Sequence, residues 1–331
     1  MLTDPSALAG VGAATGVGAA TGSRIAAVAG VRPERVVSNT ELGEGLGVTA
    51  EWIERRVGVR ERRFAGPEET VTGMGAGAAA KALSAAGLVP ADVDLLVLAT
   101  CSMPSPMPSG AASVAALLGV PHIAAFDVNA ACAGFCYALG VADGLIRART
   151  SRCALVIGAE RMTDWVDRQD VDTATVFADG AGAAVVVAAE RAGIHPVEWG
   201  GDGDKAGLVA IPDRRGSVTM QGQAVYRWVT SELAAVAAAA CARAGIAPAD
   251  LKGFVTHQAN LRMIERLATS LGATNAAVAR DIVETGNTSA ASVPLALSRL
   301  IDLGQVRPGD PILLMGFGAG LSYAAQVISC P

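Results

Sequence analysis

The sequence is short of aromatic and charged residues. Only 4% of its 331 residues are aromatic and 17% are charged, with a formal net charge of -5. The net charge gives no electrostatic case for nucleic acid, and no basic run is dense enough to suggest a membrane surface. We therefore expect neither nucleic acid nor a membrane among the partners.

Cysteine is too sparse to form a disulfide framework. Six cysteines are scattered through a long chain with no recognisable secretion signal, at positions 101, 132, 136, 153, 241 and 330. Reduced thiols in the cytoplasm are the expectation for this pattern. Cys132 and Cys136 are one helical turn apart, but no second Cys or His pair completes a tetrahedral zinc site. We expect no metal and no redox cofactor.

Hydrophobic residues are abundant, at 51% of the chain. A chain of this length exceeds the usual single core, so two halves are expected. We predict a flexible leader over 1–22, an N-terminal half over 23–190 and a C-terminal half over 191–331. The leader contains the six-residue sequence Gly10-Val-Gly-Ala-Ala-Thr15, which is repeated at 16–21. Its glycine spacing resembles that of a dinucleotide-binding loop, but no strand precedes it, as such a loop requires.

Strand-like and helix-like patterns alternate in both halves. In the first half we predict strands at 24–29, 93–100, 123–128 and 153–158, and helices at 69–88, 109–118 and 131–149. In the second half we predict strands at 253–256 and 311–315, and helices at 223–243, after His257 and at 289–303. This alternation is typical of an α/β protein with a largely parallel sheet.

Cys132 lies between the predicted strand at 123–128 and an apolar, buried helix. If that helix begins near Ala130 or Ala131, Cys132 lies in its first turn. There the free N–H groups and the macrodipole stabilise an anion by roughly 0.3–1 kcal/mol. This position predicts a lowered thiol pKa and a nucleophilic thiolate. A small core cysteine is the alternative, and the local sequence does not decide between them.

Three later segments place polar groups or free backbone at strand ends, where α/β proteins carry their chemistry. His257 directly follows an apolar strand. Asn287 lies just before a predicted helix, which Thr288 or Ser289 could cap. Considered alone, an asparagine at this position is typical of a turn or cap residue. The loop 316–320 has the backbone freedom and the N–H groups that suit an oxyanion hole.

Together these segments resemble the thiolase-fold condensing enzymes, specifically β-ketoacyl-acyl-carrier-protein synthase III, over residues 24–328. Six motifs carry the resemblance in order: Glu51-Trp-Ile-Glu-Arg-Arg-Val-Gly-Val-Arg-Glu-Arg62, Ala130-Ala-Cys-Ala-Gly-Phe135, Asp179-Gly-Ala-Gly182, His257-Gln-Ala-Asn-Leu-Arg262, Gly286-Asn-Thr-Ser289 and Gly316-Phe-Gly-Ala-Gly320. The resemblance implies a thiolase-like α/β fold, with duplicated βαβαβ halves in a layered αβαβα architecture. It also implies a homodimer.

The resemblance further implies a reaction and its residues. Cys132 would take an acyl group from a coenzyme A thioester, and the backbone N–H groups of Cys132 and Ala319 would hold the oxyanion. His257 and Asn287 would bind the thioester carbonyl of a malonyl group on acyl carrier protein, stabilising the enolate formed as carbon dioxide leaves. The β-ketoacyl-carrier protein produced would start fatty-acid or polyketide synthesis.

Two further sets of residues follow from the resemblance. The entrance for coenzyme A or the carrier protein maps onto Trp52, Arg56, Tyr226, Arg227, Asn260 and Arg262. The acyl pocket maps onto Met107 and Phe317. Asp164 stands where some relatives carry an arginine beside the adenine, so the adenine clamp departs from the family pattern.

Several other activities fit parts of the pattern. A related acyltransferase would move the acyl group from Cys132 to a hydroxyl or amine, although retention of Asn287 favours condensation. A chalcone-synthase-type enzyme shares the Cys, His and Asn, but the motif at 257–262 and the few aromatic residues argue against it. A degradative thiolase needs a second catalytic cysteine in a glycine-rich motif, and Cys330 lies outside any such motif. A catalytically silent ketosynthase partner would not need Cys132.

The residue at position 107 generates a prediction about the primer. In the family a partner subunit's loop closes the acyl pocket, and some acetyl-specific relatives have a bulky aromatic residue there. Because methionine is flexible and unbranched, we predict that primers longer than acetyl, or branched, are accepted. Turnover of acetyl, isobutyryl and hexanoyl thioesters is the measurement. Comparable rates would support the prediction, and a strict acetyl preference would contradict it.

Overall fold

The computed structural model describes residues 22–213 and 216–331, so the predicted leader lies outside the described residues except for Gly22. The described residues form fourteen strands: β1 (Gly22–Val31), β2 (Arg35–Ser38), β3 (Glu61–Phe64), β4 (Leu95–Ala99), β5 (Ala124–Val128), β6 (Cys153–Arg161), β7 (Asp179–Ala189), β8 (Glu198–Gly200), β9 (Val209–Ala210), β10 (Thr219–Met220), β11 (Gly253–Thr256), β12 (Ala277–Val278), β13 (Pro311–Phe317) and β14 (Tyr323–Ser329).

The same residues form ten α-helices: α1 (Asn39–Leu46), α2 (Ala50–Val57), α3 (Val71–Ala86), α4 (Gly110–Leu117), α5 (Gly134–Arg147), α6 (Val171–Ala174), α7 (Gly222–Ala244), α8 (Leu261–Leu271), α9 (Ile282–Thr285) and α10 (Ser292–Asp302). No helix in the described parts of the chain is long and apolar enough to cross a lipid bilayer.

Two five-stranded sheets with the same topology form the centre of the molecule. The first has the order β5-β4-β6-β7-β1, and the second has the order β12-β11-β13-β14-β8. In each sheet the first three strands are parallel, and the last two run antiparallel to their neighbours. The predicted duplication of the α/β unit is therefore confirmed.

Helices and sheets alternate in five layers, as the αβαβα prediction requires, and apolar side chains fill the spaces between these layers. Helices α3 and α4 pack on the outer face of the first sheet, and α7 and α8 pack on the outer face of the second. Helices α5 and α10 lie between the sheets and contact both. Every residue of β4 is buried, since helices cover both of its faces, which explains its continuous apolar sequence.

Two of the predicted helices begin later than expected, after a short 3₁₀ turn. Residues Ala131–Ala133 form such a turn before α5, and Ser289–Ala291 form another before α10. Ala131 has a φ of 45° and Ser289 a φ of 48°, both left-handed values that a regular α-helix cannot contain. The prediction that Cys132 lies in the first turn of the α-helix is therefore wrong, because it lies in the 3₁₀ turn before α5.

The two halves approach closely at Gly158 of β6, which generates a stability prediction. An added Cβ would lie 2.5 Å from the carbonyl oxygen of Ala290 and 2.9 Å from its carbonyl carbon. We expect Gly158→Ala to lower the free energy of unfolding by about 1–3 kcal/mol, since a backbone segment would have to move. Urea unfolding measures this change.

Gly75→Ala in α3 is the matched control. Its added Cβ would meet the side chains of Ala159 and Ile157 at 3.5 Å, an ordinary contact distance. Because alanine favours a helix interior, this variant should gain about 0.5–1 kcal/mol. Equal stability of the two variants would contradict the packing argument.

Candidate active site

A cavity of about 600 Å³ brings together residues from both halves of the chain. Its lining includes the three predicted catalytic residues and two residues of the C-terminal loop: Cys132, His257, Asn287, Phe317 and Ala319. They come from the turn after β5, the segment after β11, the turn before α10, and the end of β13 with the loop that follows it. Residues that are more than 100 positions apart in sequence thus share one site.

Cys132 is 9% exposed and lies against the C-terminal loop. The backbone N–H groups of Cys132 and of Ala319 act on its sulfur and lower the pKa of the thiol. Gly318 is so close that an added Cβ would stand 2.7 Å from the Cys132 Cβ and 3.0 Å from its sulfur. Two backbone donors meeting at the sulfur are the arrangement that can stabilise an oxyanion on an attached acyl group.

The pKa of Cys132 is shifted in the direction opposite to the prediction. Burial raises the pKa of the thiol to about 12, and the nearby Glu160 carboxylate also raises it. Hydrogen bonds from the Ser289 hydroxyl and from the two backbone N–H groups lower it, but by less. The predicted lowering is therefore wrong, because desolvation of the thiolate outweighs these hydrogen bonds.

His257 is 2% exposed and is held by hydrogen bonds on one side. Its backbone N–H donates to the carbonyl of Met315 at 2.7 Å, and its Nδ1 lies 2.8 Å from the Ser292 hydroxyl. That hydroxyl oxygen also accepts from the backbone N–H of Gln258 at 3.3 Å. This hydrogen bond orients the imidazole ring and engages Nδ1.

The imidazole of His257 is neutral. Burial lowers its pKa to about 3, although the backbone carbonyl of Ser289 acts in the opposite direction. The ring packs edge-on against Phe317, with 5.3 Å between the ring centroids and an interplanar angle of 81°. His257 therefore offers a positioned, uncharged hydrogen-bond donor.

Asn287 is fixed by its backbone and by its own side chain. Its N–H donates to the carbonyl of Val176 and its carbonyl accepts from Ala178, both at 2.9 Å. Its Oδ1 accepts from the backbone N–H of Ser289 at 2.9 Å. No capping hydrogen bond comes from Thr288 or Ser289, so that expectation is wrong and Asn287 itself supplies the acceptor. The carboxamide nitrogen is left as a second neutral donor.

Four of the six predicted entrance residues line the cavity: Arg56, Tyr226, Arg227 and Asn260. Trp52 lies behind Arg56, whose guanidinium carbon is 5.0 Å from the centroid of the indole ring. Asn260 donates to the backbone carbonyl of Arg56 at 3.1 Å and accepts from the backbone N–H of Arg262 at 2.9 Å. Trp52 and Arg262 thus support the entrance, but they do not line it.

Asp172 is the acidic residue of the cavity lining, and the position of Asp164 relative to the adenine stays a prediction. Asp164 forms an ion pair with Arg161 at 3.1 Å and is absent from the lining. Asp172 lines the cavity and pairs with Arg56 at 2.5 Å. Sequence analysis missed Asp172 because several acidic residues follow Glu160 and the pattern does not show which of them faces the cavity.

The two predicted acyl-pocket residues have different positions. Phe317 is 1% exposed and lines the cavity, whereas Met107 is 78% exposed and does not line the cavity of its own chain. Sequence analysis missed the other apolar residues of the lining, including Val176, Phe177, Val209 and Met220. Their only sequence signal is hydrophobicity, which they share with the core.

The fold and the site define a class of protein. Two duplicated α/β halves hold a cysteine under two backbone donors, beside a neutral histidine and an asparagine, which is the arrangement of a thiolase-fold condensing enzyme. Family models agree: residues 126–203 match 3-oxoacyl-[acyl-carrier-protein] synthase III, and residues 241–330 match the C-terminal domain of the same family.

Whole-chain comparisons agree as well. The chain is 52% identical to β-ketoacyl-[acyl-carrier-protein] synthase III 2 of Streptomyces avermitilis, over 93% of this chain and 99% of the relative. It is 51% identical to synthase III 4 of Streptomyces coelicolor, with the same two coverages. The chain belongs to the β-ketoacyl-acyl-carrier-protein synthase III family of condensing transferases.

Solved structures show the same fold. The priming β-ketosynthase of the R1128 polyketide biosynthetic pathway is 42% identical and superposes with a TM-score of 0.90, over 96% of this chain and 99% of that one. The 3-oxoacyl-[acyl-carrier-protein] synthase III of Aquifex aeolicus is 36% identical with a TM-score of 0.89, over 93% of this chain and 100% of that one.

The raised pKa of Cys132 generates a prediction about its reactivity. Since only the thiolate reacts and the pKa is about 12, alkylation by iodoacetamide should rise about tenfold per pH unit between about pH 7 and 9. Peptide mapping by mass spectrometry measures labelling at position 132, with Cys132→Ser as the control. A rate that is already constant across this range would show that the thiol pKa is lowered instead.

Proposed function

We propose that this protein catalyses the decarboxylative Claisen condensation of an acyl-coenzyme A primer with malonyl-acyl-carrier protein. The product is a β-ketoacyl-carrier protein that starts fatty-acid or polyketide synthesis. The observation that carries the proposal is one cavity lined by Cys132, with two backbone donors on its sulfur, and by the neutral donors His257 and Asn287.

In the first half-reaction Cys132 attacks the thioester carbonyl of the primer. The negative charge that develops on the carbonyl oxygen needs donors aimed at it, and the N–H groups of Cys132 and Ala319 are the candidates. Coenzyme A leaves, and the acyl group remains on the sulfur. One nucleophile then serves two substrates in turn, which is ping-pong chemistry.

In the second half-reaction the malonyl group loses carbon dioxide, and the resulting enolate attacks the acyl-Cys132 carbonyl. Decarboxylation creates the carbanion, so no strong base is required. His257 and Asn287 are proposed to donate hydrogen bonds to the thioester oxygen, where the enolate charge collects. Neutral donors suit this step because they are already in place and cost little reorganisation.

The substrates and their surroundings form part of the same proposal. Coenzyme A and the carrier protein would enter past Arg56, Tyr226, Arg227 and Asn260, with Trp52 and Arg262 as support. The primer would lie against Phe317 and its apolar neighbours, with no metal or redox cofactor. The cytoplasm is the proposed compartment, and all six cysteines are free.

We also propose a homodimer. Strand β5 is an edge strand of the first sheet, and its Phe126 is 36% exposed. The exposed Met107 supports the same idea, because a partner subunit would bring a second Met107 to the acyl pocket. Position 107 would then act on primer length across the subunit interface.

A two-stage experiment tests the reaction. Incubation with an acyl-coenzyme A should add the acyl mass to Cys132, and addition of malonyl-acyl-carrier protein should release carbon dioxide and a β-ketoacyl product. Asn287→Ala should retain acylation but slow condensation by about 10²-fold, because one transition-state donor is lost. Asn275→Ala, the same change at an exposed residue outside the cavity lining, should leave both stages unchanged.

Each outcome discriminates between functions. Absence of acyl mass on Cys132 would contradict the proposal. Acylation followed by transfer to a hydroxyl or amine, without carbon dioxide, would identify the related acyltransferase. Equal loss of both stages in Asn287→Ala would mean that Asn287 supports the fold of the site and has no separate role in condensation.

A further inference from the structure

A second cavity, of about 260 Å³, adjoins the active-site cavity, and the proposed reaction does not use it. Phe177 belongs to the linings of both cavities. It is buried, and it pairs in a short β-bridge with Asn287. The rest of the second lining comes from β2, β3, α1 and the segment between β6 and β7. The second cavity is therefore a separate space that shares one wall with the active site.

The walls of the second cavity are mostly apolar. Leu42 and Leu46 are four residues apart, so they share one face of α1, and Phe64 of β3 lies with them in the lining. All three are half-buried, and none of them belongs to the four apolar clusters that the described residues form. Because they are only partly covered, an apolar ligand here would remove further apolar surface from water.

The charged residues of this lining carry one net positive charge. Arg35 and Glu41 are both exposed and form an ion pair with each other at 2.6 Å. Arg168, the third charged residue, is also exposed, and its guanidinium forms no ion pair or hydrogen bond within the described part of the chain. An unpaired guanidinium beside apolar walls suits a ligand with one carboxylate, which it can bind through two parallel N–H groups.

We propose that the second cavity binds a medium-chain fatty carboxylate. The hydrocarbon chain would lie along Leu42, Leu46 and Phe177, and the carboxylate would meet Arg168. Pockets for drug-sized ligands enclose about 300–1,000 Å³, so this smaller cavity should hold a chain of about six to ten carbons. The inference goes beyond the proposed function and does not depend on it.

Isothermal titration of the full-length protein with octanoate tests the inference. We expect saturable binding, and the affinity should rise about fourfold for each methylene group added from hexanoate to octanoate, because each one is buried. Octanol has the same chain without the charge. It should bind about tenfold more weakly than octanoate, since it lacks the charged hydrogen bonds to the guanidinium.

Two glycine variants locate the site. Gly45 lies in the last turn of α1 and in the lining, and an added Cβ there would meet no atom within 4 Å. Gly45→Leu should therefore take up space at the cavity without disturbing the fold, since leucine favours a helix more than glycine does. The number of octanoate sites per chain should fall by one in this variant.

Gly144→Leu is the matched control. Gly144 also lies in the last turn of a helix, α5, its added Cβ would also meet no atom within 4 Å, and it is outside the lining. This variant should bind octanoate as the wild type does. Arg168→Gln keeps the shape of the cavity but removes the charge, and it should weaken octanoate binding by about tenfold while leaving octanol binding unchanged.

Several results would overturn the inference. One is an absence of saturable octanoate binding to the wild type. Another is an equal number of sites in Gly45→Leu and Gly144→Leu. Octanol that binds as tightly as octanoate, or unchanged octanoate affinity in Arg168→Gln, would contradict the place of the carboxylate. None of these results bears on acyl mass at Cys132, which tests the proposed function separately.

Discussion

The site depends on direct contact between backbone segments of the two halves. Added Cβ atoms would lie 2.8 Å from the Ala133 Cα at Gly316, 2.7 Å from the Cys132 Cβ at Gly318, and 2.5 Å from the Ala290 carbonyl oxygen at Gly158. Glycine at these positions lets strands and turns meet without side chains between them. The N–H of Ala319 can reach the sulfur of Cys132 only because this space is empty of side chains.

The same close packing buries the Cys132 thiol and the His257 imidazole and keeps both uncharged in the ground state. Burial raises the pKa of Cys132 and lowers that of His257, so the thiol and the imidazole are both neutral. This suits the proposed reaction, because the malonyl carboxylate would lose its charge as carbon dioxide leaves and would need no cationic partner at Cys132 or His257. Preorganised neutral donors then face an enolate without having to reorganise.

Much of this could be predicted from the sequence. Alternating apolar segments such as 93–100 and 153–158 indicated the layered α/β fold, and glycine, histidine and asparagine at strand ends indicated the catalytic segments. The starts of α5 and α10 could not be predicted, because the left-handed turns at Ala131 and Ser289 are imposed by tertiary packing. The pKa of Cys132 was mispredicted for a related reason: local sequence indicates a helix start but does not show how deeply the sulfur is buried. The roles of the individual site residues stay predictions.

The ion pair at the cavity mouth has a consequence for the kinetics of entry. Arg56 and Asp172 are both about half exposed, at 48% and 51%, and exposed pairs of this kind contribute only about 0.2–1 kcal/mol. In the proposed function a phosphate of coenzyme A would replace Asp172 as the counter-ion of Arg56, so the arginine would be paired before and after the substrate binds. Asp172 would in this way hold the Arg56 side chain at the cavity between turnovers.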